Sequence, residues 1–295
     1  MGVVSLFLFA TYCDCSGPGL AHSSPVPIIL RSINFLLASL CVCCIPAYSQ
    51  TPKEERWNVK NGPAIAGLEH DTFESTAVHA TVGYTVWLPP GYSASNPALP
   101  AIYFLHGAGG DEYSGTGAIV PRIRDAIEQK QLPAVLCVFC NGDHSGYRDD
   151  ESTGILGESA IVNELVPIID LKYHTPANRR AVIGFSMGAS GAIRFAVKHP
   201  DRFSAAVGWG GGYRGSADFA RQNLEAIKRR QVGLMMVIGD KDNMKLTEEF
   251  VGELAGMGIP YSYEVAPGVS HDFAAYLDRT WPKALVFLAS RLRTD

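Results

Sequence analysis

From residue 101 onward, short and almost purely apolar runs alternate with longer segments in which apolar residues recur every three or four positions. The short runs cover 101–105, 134–140, 181–185, 203–207, 234–238 and 261–265. Runs of this length predict buried strands. Between them, Ile119/Ile123/Ile127, Ile161/Leu165/Ile168 and Leu246/Phe250/Leu254 repeat at helical spacing and predict crossover helices. Strands apolar on both faces, separated by helices, imply an α/β fold: a mostly parallel central sheet with helices on both faces. A Thr/Val/Tyr-rich stretch at 78–88, closed by Pro89-Pro90-Gly91, precedes this alternation. Such sheets bind ligands beyond the carboxyl ends of their strands, so the informative residues are those that follow each run.

The first 50 residues follow another pattern, with one basic residue (Arg31) and one acid (Asp14). Behind Arg31, residues 33–46 are mostly apolar, and Ala47 and Ser49 supply small residues at the −3 and −1 positions of a cut before Gln50. This predicts a removable leader (1–49), an exported protein (secreted or periplasmic) and a single domain over 50–295. A stable membrane span is not expected, because Asn34 and Ser39 interrupt the stretch and Pro46 ends it. A second apolar run, 3–10, has no basic residue before it, and suggests a true start near Val26 or Leu30. Lipidation at Cys41, Cys43 or Cys44 is disfavoured, since none follows a small residue.

Five of the seven cysteines fall in the leader. The other two, Cys137 and Cys140, lie in the 134–140 run, where residues three apart face opposite ways. Buried structural thiols are expected there, not a CxxC redox or zinc site. With 25 basic and 29 acidic side chains, the net charge of −4 gives no footprint for nucleic acid or an anionic surface. The pattern does not define an oligomeric state.

After the 181–185 run comes Gly184-Phe185-Ser186-Met187-Gly188, then a helix of small residues. G-x-S-x-G between strand and helix is the nucleophile-elbow context: a strained turn lifts the serine hydroxyl clear of the sheet, and the glycines let strand and helix approach. The competing reading is an ordinary N-cap serine. A nucleophilic serine needs a base, and His271 follows the last strand across Pro267-Gly268-Val269-Ser270. His174 and His199 are better read as helix C-terminal caps. Between nucleophile and base, the 234–238 run leads into Gly239-Asp240-Lys241-Asp242-Asn243, and the order Ser, Asp, His suits this fold. Asp242 is the favoured acid, because Asp240 directly follows the strand and is placed to bind turn backbone. The loop His106-Gly107-Ala108-Gly109-Gly110 ends the first core strand, so the amides of Ala108 and Met187 are the candidate oxyanion donors. His106 is expected mainly to brace that loop.

Trp87-Leu-Pro-Pro-Gly-Tyr92, His106-Gly-Ala-Gly-Gly110, Glu164-Leu-Val-Pro-Ile-Ile-Asp170, Gly184-Phe-Ser-Met-Gly188 and Ser270-His271 resemble the esterase D-like family, over about residues 75 to 295. That family includes feruloyl and acetyl xylan esterases, S-formylglutathione hydrolases and the antigen 85 mycolyltransferases. The resemblance implies an α/β-hydrolase fold, a Ser186/Asp242/His271 triad, oxyanion donors at Ala108 and Met187, and no cofactor. It also implies a small-molecule or carbohydrate-linked ester as substrate. Acyl transfer, thioester hydrolysis and a silent carbohydrate- or lipid-binding protein are the alternatives. Asn141, His144 and Tyr147, after the 134–140 run, and Trp209, after the 203–207 run, are expected on the active-site rim with His106, where they could touch substrate. No H-E-x-x-H or paired Cys/His spacing calls for a metal.

Overall fold

The computed structural model describes residues 53–293, apart from 94, 96 and 97. The expected leader, its cleavage site and its five cysteines lie outside the described residues. In chain order the elements are α1 (Lys53–Trp57), β1 (Leu68–Ser75), β2 (Ala80–Trp87), β3 (Ala101–Leu105), α2 (Thr116–Glu128) and β4 (Leu136–Cys140). A short hairpin follows, β5 (Asp149–Asp150) with β6 (Ile155–Leu156). A single turn, α3 (Gly157–Ser159), then runs through a π-helical segment, Ala160–Leu165, into α4 (Val166–Tyr173). The remainder is β7 (Arg180–Phe185), α5 (Met187–Lys198), β8 (Ala205–Trp209), α6 (Ser216–Gln222), α7 (Leu224–Arg230), β9 (Gly233–Gly239), α8 (Lys245–Gly256), β10 (Ser262–Ala266) and α9 (Phe273–Leu292).

Eight strands form one sheet in the order β1-β2-β4-β3-β7-β8-β9-β10. Pairing is antiparallel between β1 and β2 and between β2 and β4, and parallel from β4 to β10. The parallel strands carry a core on both faces. Along β3, Ala101, Tyr103 and Leu105 pack into one apolar cluster, while Ile102 and Phe104 pack into the other. Every residue of that strand is buried, which is why it reads as an unbroken hydrophobic run. The same alternation separates Cys137 from Cys140: they belong to opposite clusters, and both thiols are free. Burial pushes both thiols up, away from the reactive thiolate form.

Strand β4 starts two residues after the beginning of its expected run, and two other elements differ from the expected pattern. The stretch at 78–88 is one arm of a hairpin, and its partner β1 lacks a hydrophobic signal because only Phe73 and Ser75 of its eight residues are buried. As an edge strand it carries Glu69, Asp71 and Glu74 toward solvent, the kind of side chain that discourages edge-to-edge pairing. Strand β8 starts two residues later than expected. Phe203 precedes it and is drawn into the core by Phe195 and Tyr103, so its apolar character reflects packing against those rings. No helix among the described residues is long and apolar enough to cross a membrane.

Candidate active site

Strand β7 ends at Phe185 and α5 begins at Met187, which leaves Ser186 alone to make the turn. Its φ is 55° and its ψ −114°, a backbone conformation costly for any residue with a Cβ. The turn is anchored by the Ser186 N–H, which donates to the Trp209 carbonyl at 2.9 Å. Close approach is what requires the flanking glycines. A methyl group at Gly184 would run into the backbone of Gly188, and one at Gly188 into the carbonyls of Leu105 and His106. Those obstacles are main chain of closely packed elements and cannot swing aside. Gly188→Ala is therefore expected to destabilise the protein by about 3 kcal/mol, at the upper end of overpacking. Urea unfolding of the variant beside the parent measures it, and an unchanged midpoint would refute the packing argument.

His271 lies in the loop that joins β10 to α9. Its Nε2 is 2.8 Å from Ser186 Oγ and its Nδ1 is 2.7 Å from Asp242 Oδ2. A carboxylate can only accept, so Nδ1 carries the ring proton and Nε2 is left to accept from the serine hydroxyl. Phe185 lies against the imidazole with ring centroids 4.8 Å apart, and stacks in turn on Phe273. Burial pushes the Asp242 carboxyl upward, but hydrogen bonds from Tyr276, His271 and the Asn243 amide outweigh it and hold the group below its ordinary value. Asp240 does the other job expected of this turn: its Oδ1 accepts from the Gly268 N–H at 2.7 Å.

The 106–110 loop passes directly beside the serine. A Cβ built on Gly107 would lie 3.5 Å from Ser186 Cβ. The loop closes through a Gly110 N–H bond to the Gly107 carbonyl at 3.1 Å, with Gly109 at φ 82°. Ala108 is exposed at its tip. Met187 is the first residue of α5, where an N–H has no acceptor within the helix.

Four of the five expected substrate contacts are turned away from solvent. His106 is 1% exposed; its Nδ1 donates to the Gly107 carbonyl at 2.7 Å and its Nε2 accepts from the Gly142 N–H at 3.0 Å. Burial lowers its basicity, so it stays neutral as a loop brace. Tyr147 is fully buried, and its hydroxyl accepts from the His106 N–H at 2.9 Å. Asn141 donates from Nδ2 to Glu112 Oε2 at 2.7 Å and to the Arg56 carbonyl at 2.8 Å. Trp209 is the last residue of β8, not the residue beyond it, and its Nε1 donates to Thr280 Oγ1 at 3.1 Å inside the core. Only His144 remains open, lining a surface cavity of about 200 Å³ with Arg56, Gly109 and Asp143. The polar residues of this rim turn inward to pair buried polar groups of the loop and its neighbours, among them the Asp143, Gly142 and His106 amides.

Sequence reasoning missed three supporting residues. Arg194, on α5, donates from Nη1 to the carbonyls of Gly146 and Tyr147, and burial lowers its pKa to about 10. Glu112 is buried at the sheet's antiparallel end, where burial raises its pKa against hydrogen bonds from the Val59 amide, His70 and Asn141. Tyr276, in the first turn of α9, contacts Asp242. None belongs to a motif. Arg194 alone is marked in the sequence, by Ala192-Ile193 before it and Phe195-Ala196 after it.

With this geometry established, comparison with known proteins decides the family. The family described as "Putative esterase" matches residues 75–248, more than half of the chain. The chain belongs to this esterase family. The match includes Ser186 and Asp242 and stops short of His271. Esterase Rv1288 of Mycobacterium tuberculosis (strain ATCC 25618 / H37Rv) is 31% identical over 140 residues, which is 45% of this chain and 30% of that protein. The chain therefore spans less than a third of the length of that curated relative. Among solved structures, a ferulic acid esterase aligns with a TM-score of 0.64 at 23% identity, over 76% of this chain and 97% of its own. The S-formylglutathione hydrolase FrmB of Staphylococcus aureus aligns with a TM-score of 0.59 at 20% identity, over 75% and 98%. At these identities the likeness establishes the α/β-hydrolase fold.

Proposed function

We propose that this family member is an exported serine carboxylic-ester hydrolase that acts through an acyl-enzyme on carbohydrate-linked acyl esters such as acetyl or feruloyl groups. The observation that carries the reading is the unbroken line from Ser186 Oγ to His271 Nε2 (2.8 Å) and from His271 Nδ1 to Asp242 Oδ2 (2.7 Å). His271 accepts the serine proton as Oγ bonds to the ester carbonyl carbon, and Asp242 orients the imidazole and balances its charge. The carbonyl oxygen becomes an oxyanion held by the amides of Ala108 and Met187, each donor worth about 3 to 4 kcal/mol in the transition state. Collapse breaks the bond to the alcohol, which leaves with the proton from His271. Water then gives a proton to His271 as it attacks the acyl-serine; the acyl–Oγ bond breaks, Oγ takes the proton back from His271, and the acid leaves.

The substrate reading is supported by the ferulic acid esterase likeness and by the openness of the site. The His271 side chain is 47% exposed, so an ester carried on a larger molecule can reach the serine. Export is supported by the apolar stretch 33–46 with its small residues before Gln50. Labelling with a fluorophosphonate, mapped by mass spectrometry, tests the mechanism: the label is expected on Ser186, and no labelling would instead favour the non-catalytic alternative. The same preparation is then given p-nitrophenyl esters of increasing acyl length, methyl ferulate and S-formylglutathione. Preference for the last would overturn the carbohydrate-ester assignment, and faster acyl capture by an added sugar than by water would make the protein a transferase.

A further inference from the structure

Asp272 caps α9, its carboxylate accepting from the Ala275 N–H at 2.7 Å, so the helix starts immediately beyond His271. That start brings Tyr276 under the turn that carries Asp242. The tyrosine is wholly buried, and its hydroxyl accepts from the Gly239 N–H at 2.8 Å. A phenol has one proton to give. With an amide donating into the oxygen, that proton is directed at Asp242 Oδ2, 2.7 Å away. The same carboxylate oxygen accepts from His271 Nδ1, and the other oxygen accepts from the Asn243 N–H at 2.7 Å. Packing closes the arrangement: a Cβ on Gly210 would lie 3.2 Å from Asp242 Oδ2, 3.2 Å from Tyr276 Cε2 and 3.3 Å from His271 Cε1.

We propose that Tyr276 is a positioning residue for ester hydrolysis: its hydroxyl ties the Asp242 carboxylate to the β9 backbone, and so sets the plane in which the imidazole is held. The proposal rests on the reading of Ser186, His271 and Asp242 given above. An aspartate on a turn, held only by its own backbone and one imidazole, is free to rotate about its side-chain torsions, and each rotamer away from Nδ1 removes the orientation of the base. The hydroxyl of the buried Tyr276 on one carboxylate oxygen, added to the neighbouring Asn243 N–H on the other, leaves a single orientation. The phenol is suited to the task because burial and the adjacent carboxylate push its pKa above the ordinary phenol value, so it keeps its proton and remains a donor throughout turnover.

Tyr276→Phe deletes one oxygen and no packing. Its kcat for p-nitrophenyl acetate is expected to fall about 10- to 100-fold, the loss typical of a hydrogen bond to a charged group. KM should not move, since Tyr276 does not touch substrate. In an Asp242→Asn background the same change should cost less than about twofold, because a residue acting through the acid has nothing left to orient. A parent-like kcat, or equal losses in both backgrounds, overturns the proposal. Should the phenylalanine variant fail to fold, 3-fluorotyrosine at position 276 keeps both hydrogen bonds with a stronger donor. The far-downfield proton resonance of His271 Nδ1–H is then expected to shift, and an unchanged resonance also overturns the proposal. Full activity of Ser186→Ala would strike instead at the underlying mechanism, which separates the two failures.

Discussion

Ser186→Ala is expected to lower kcat for p-nitrophenyl acetate by about 10⁶-fold, while thermal unfolding stays within a few degrees of the parent. The side chain lost is one oxygen on the surface of the turn, and the elbow is held by the Ser186 amide, its bond to Trp209 and the two flanking glycines, none of which the substitution touches. What remains is a carbonyl bound beside the Ala108 and Met187 amides with no nucleophile but water, so a residual rate above the uncatalysed reaction is expected. His271→Ala should cost about as much, and the double variant little more than either single one, because proton acceptor and nucleophile act as one unit. Activity of Ser186→Ala equal to the parent would remove this serine from the reaction.

Asp242→Asn is expected to reduce kcat about 10⁴-fold at neutral pH. The amide oxygen can still accept from the Asn243 N–H, so the turn should survive, with NH₂ in the place of Oδ2. Toward His271, however, its NH₂ would face a nitrogen that now donates at 2.7 Å. The imidazole can relieve that clash by moving its proton to Nε2, and the serine then meets a donor where it needs an acceptor. Asp240→Asn is the control. Its carboxylate accepts from Gly268 and does not contact His271, so the substitution should perturb stability and leave kcat within a few-fold of the parent. If the two variants exchange these phenotypes in steady-state assays, the acid has been misassigned.

The parallel strands could be read from the sequence because burial on both faces leaves unbroken apolar runs, and the chemical residues could be read because they follow those runs. Asp240 and Asp242 were separable on the same ground: the residue immediately after a strand faces the neighbouring loop, while the one two positions on has cleared it. Edge strand β1 was not legible, since LEHDTFES buries too little to show a period of two. Trp209 was misplaced because a two-residue shift of β8 moves a side chain from a loop into the core. Asn141 and Tyr147 show a third limit. Polar composition marks a loop, but whether its side chains point to solvent or to its own backbone depends on left-handed residues such as Tyr147 at φ 51°, which composition does not reveal.

Arg194 has a consequence for how this protein tolerates changes in length. One helix starts immediately after Ser186 and carries, two turns on, the guanidinium that grips the carbonyls of Gly146 and Tyr147, while the Tyr147 hydroxyl accepts from the His106 N–H of the 106–110 loop. The stretch from Met187 to Arg194 therefore works as a ruler between Ser186 and the 106–110 loop. Inserting or deleting a single residue within it would swing the guanidinium by about 100° and break that registration, whereas the exposed tip of the β5–β6 hairpin could grow without consequence for it.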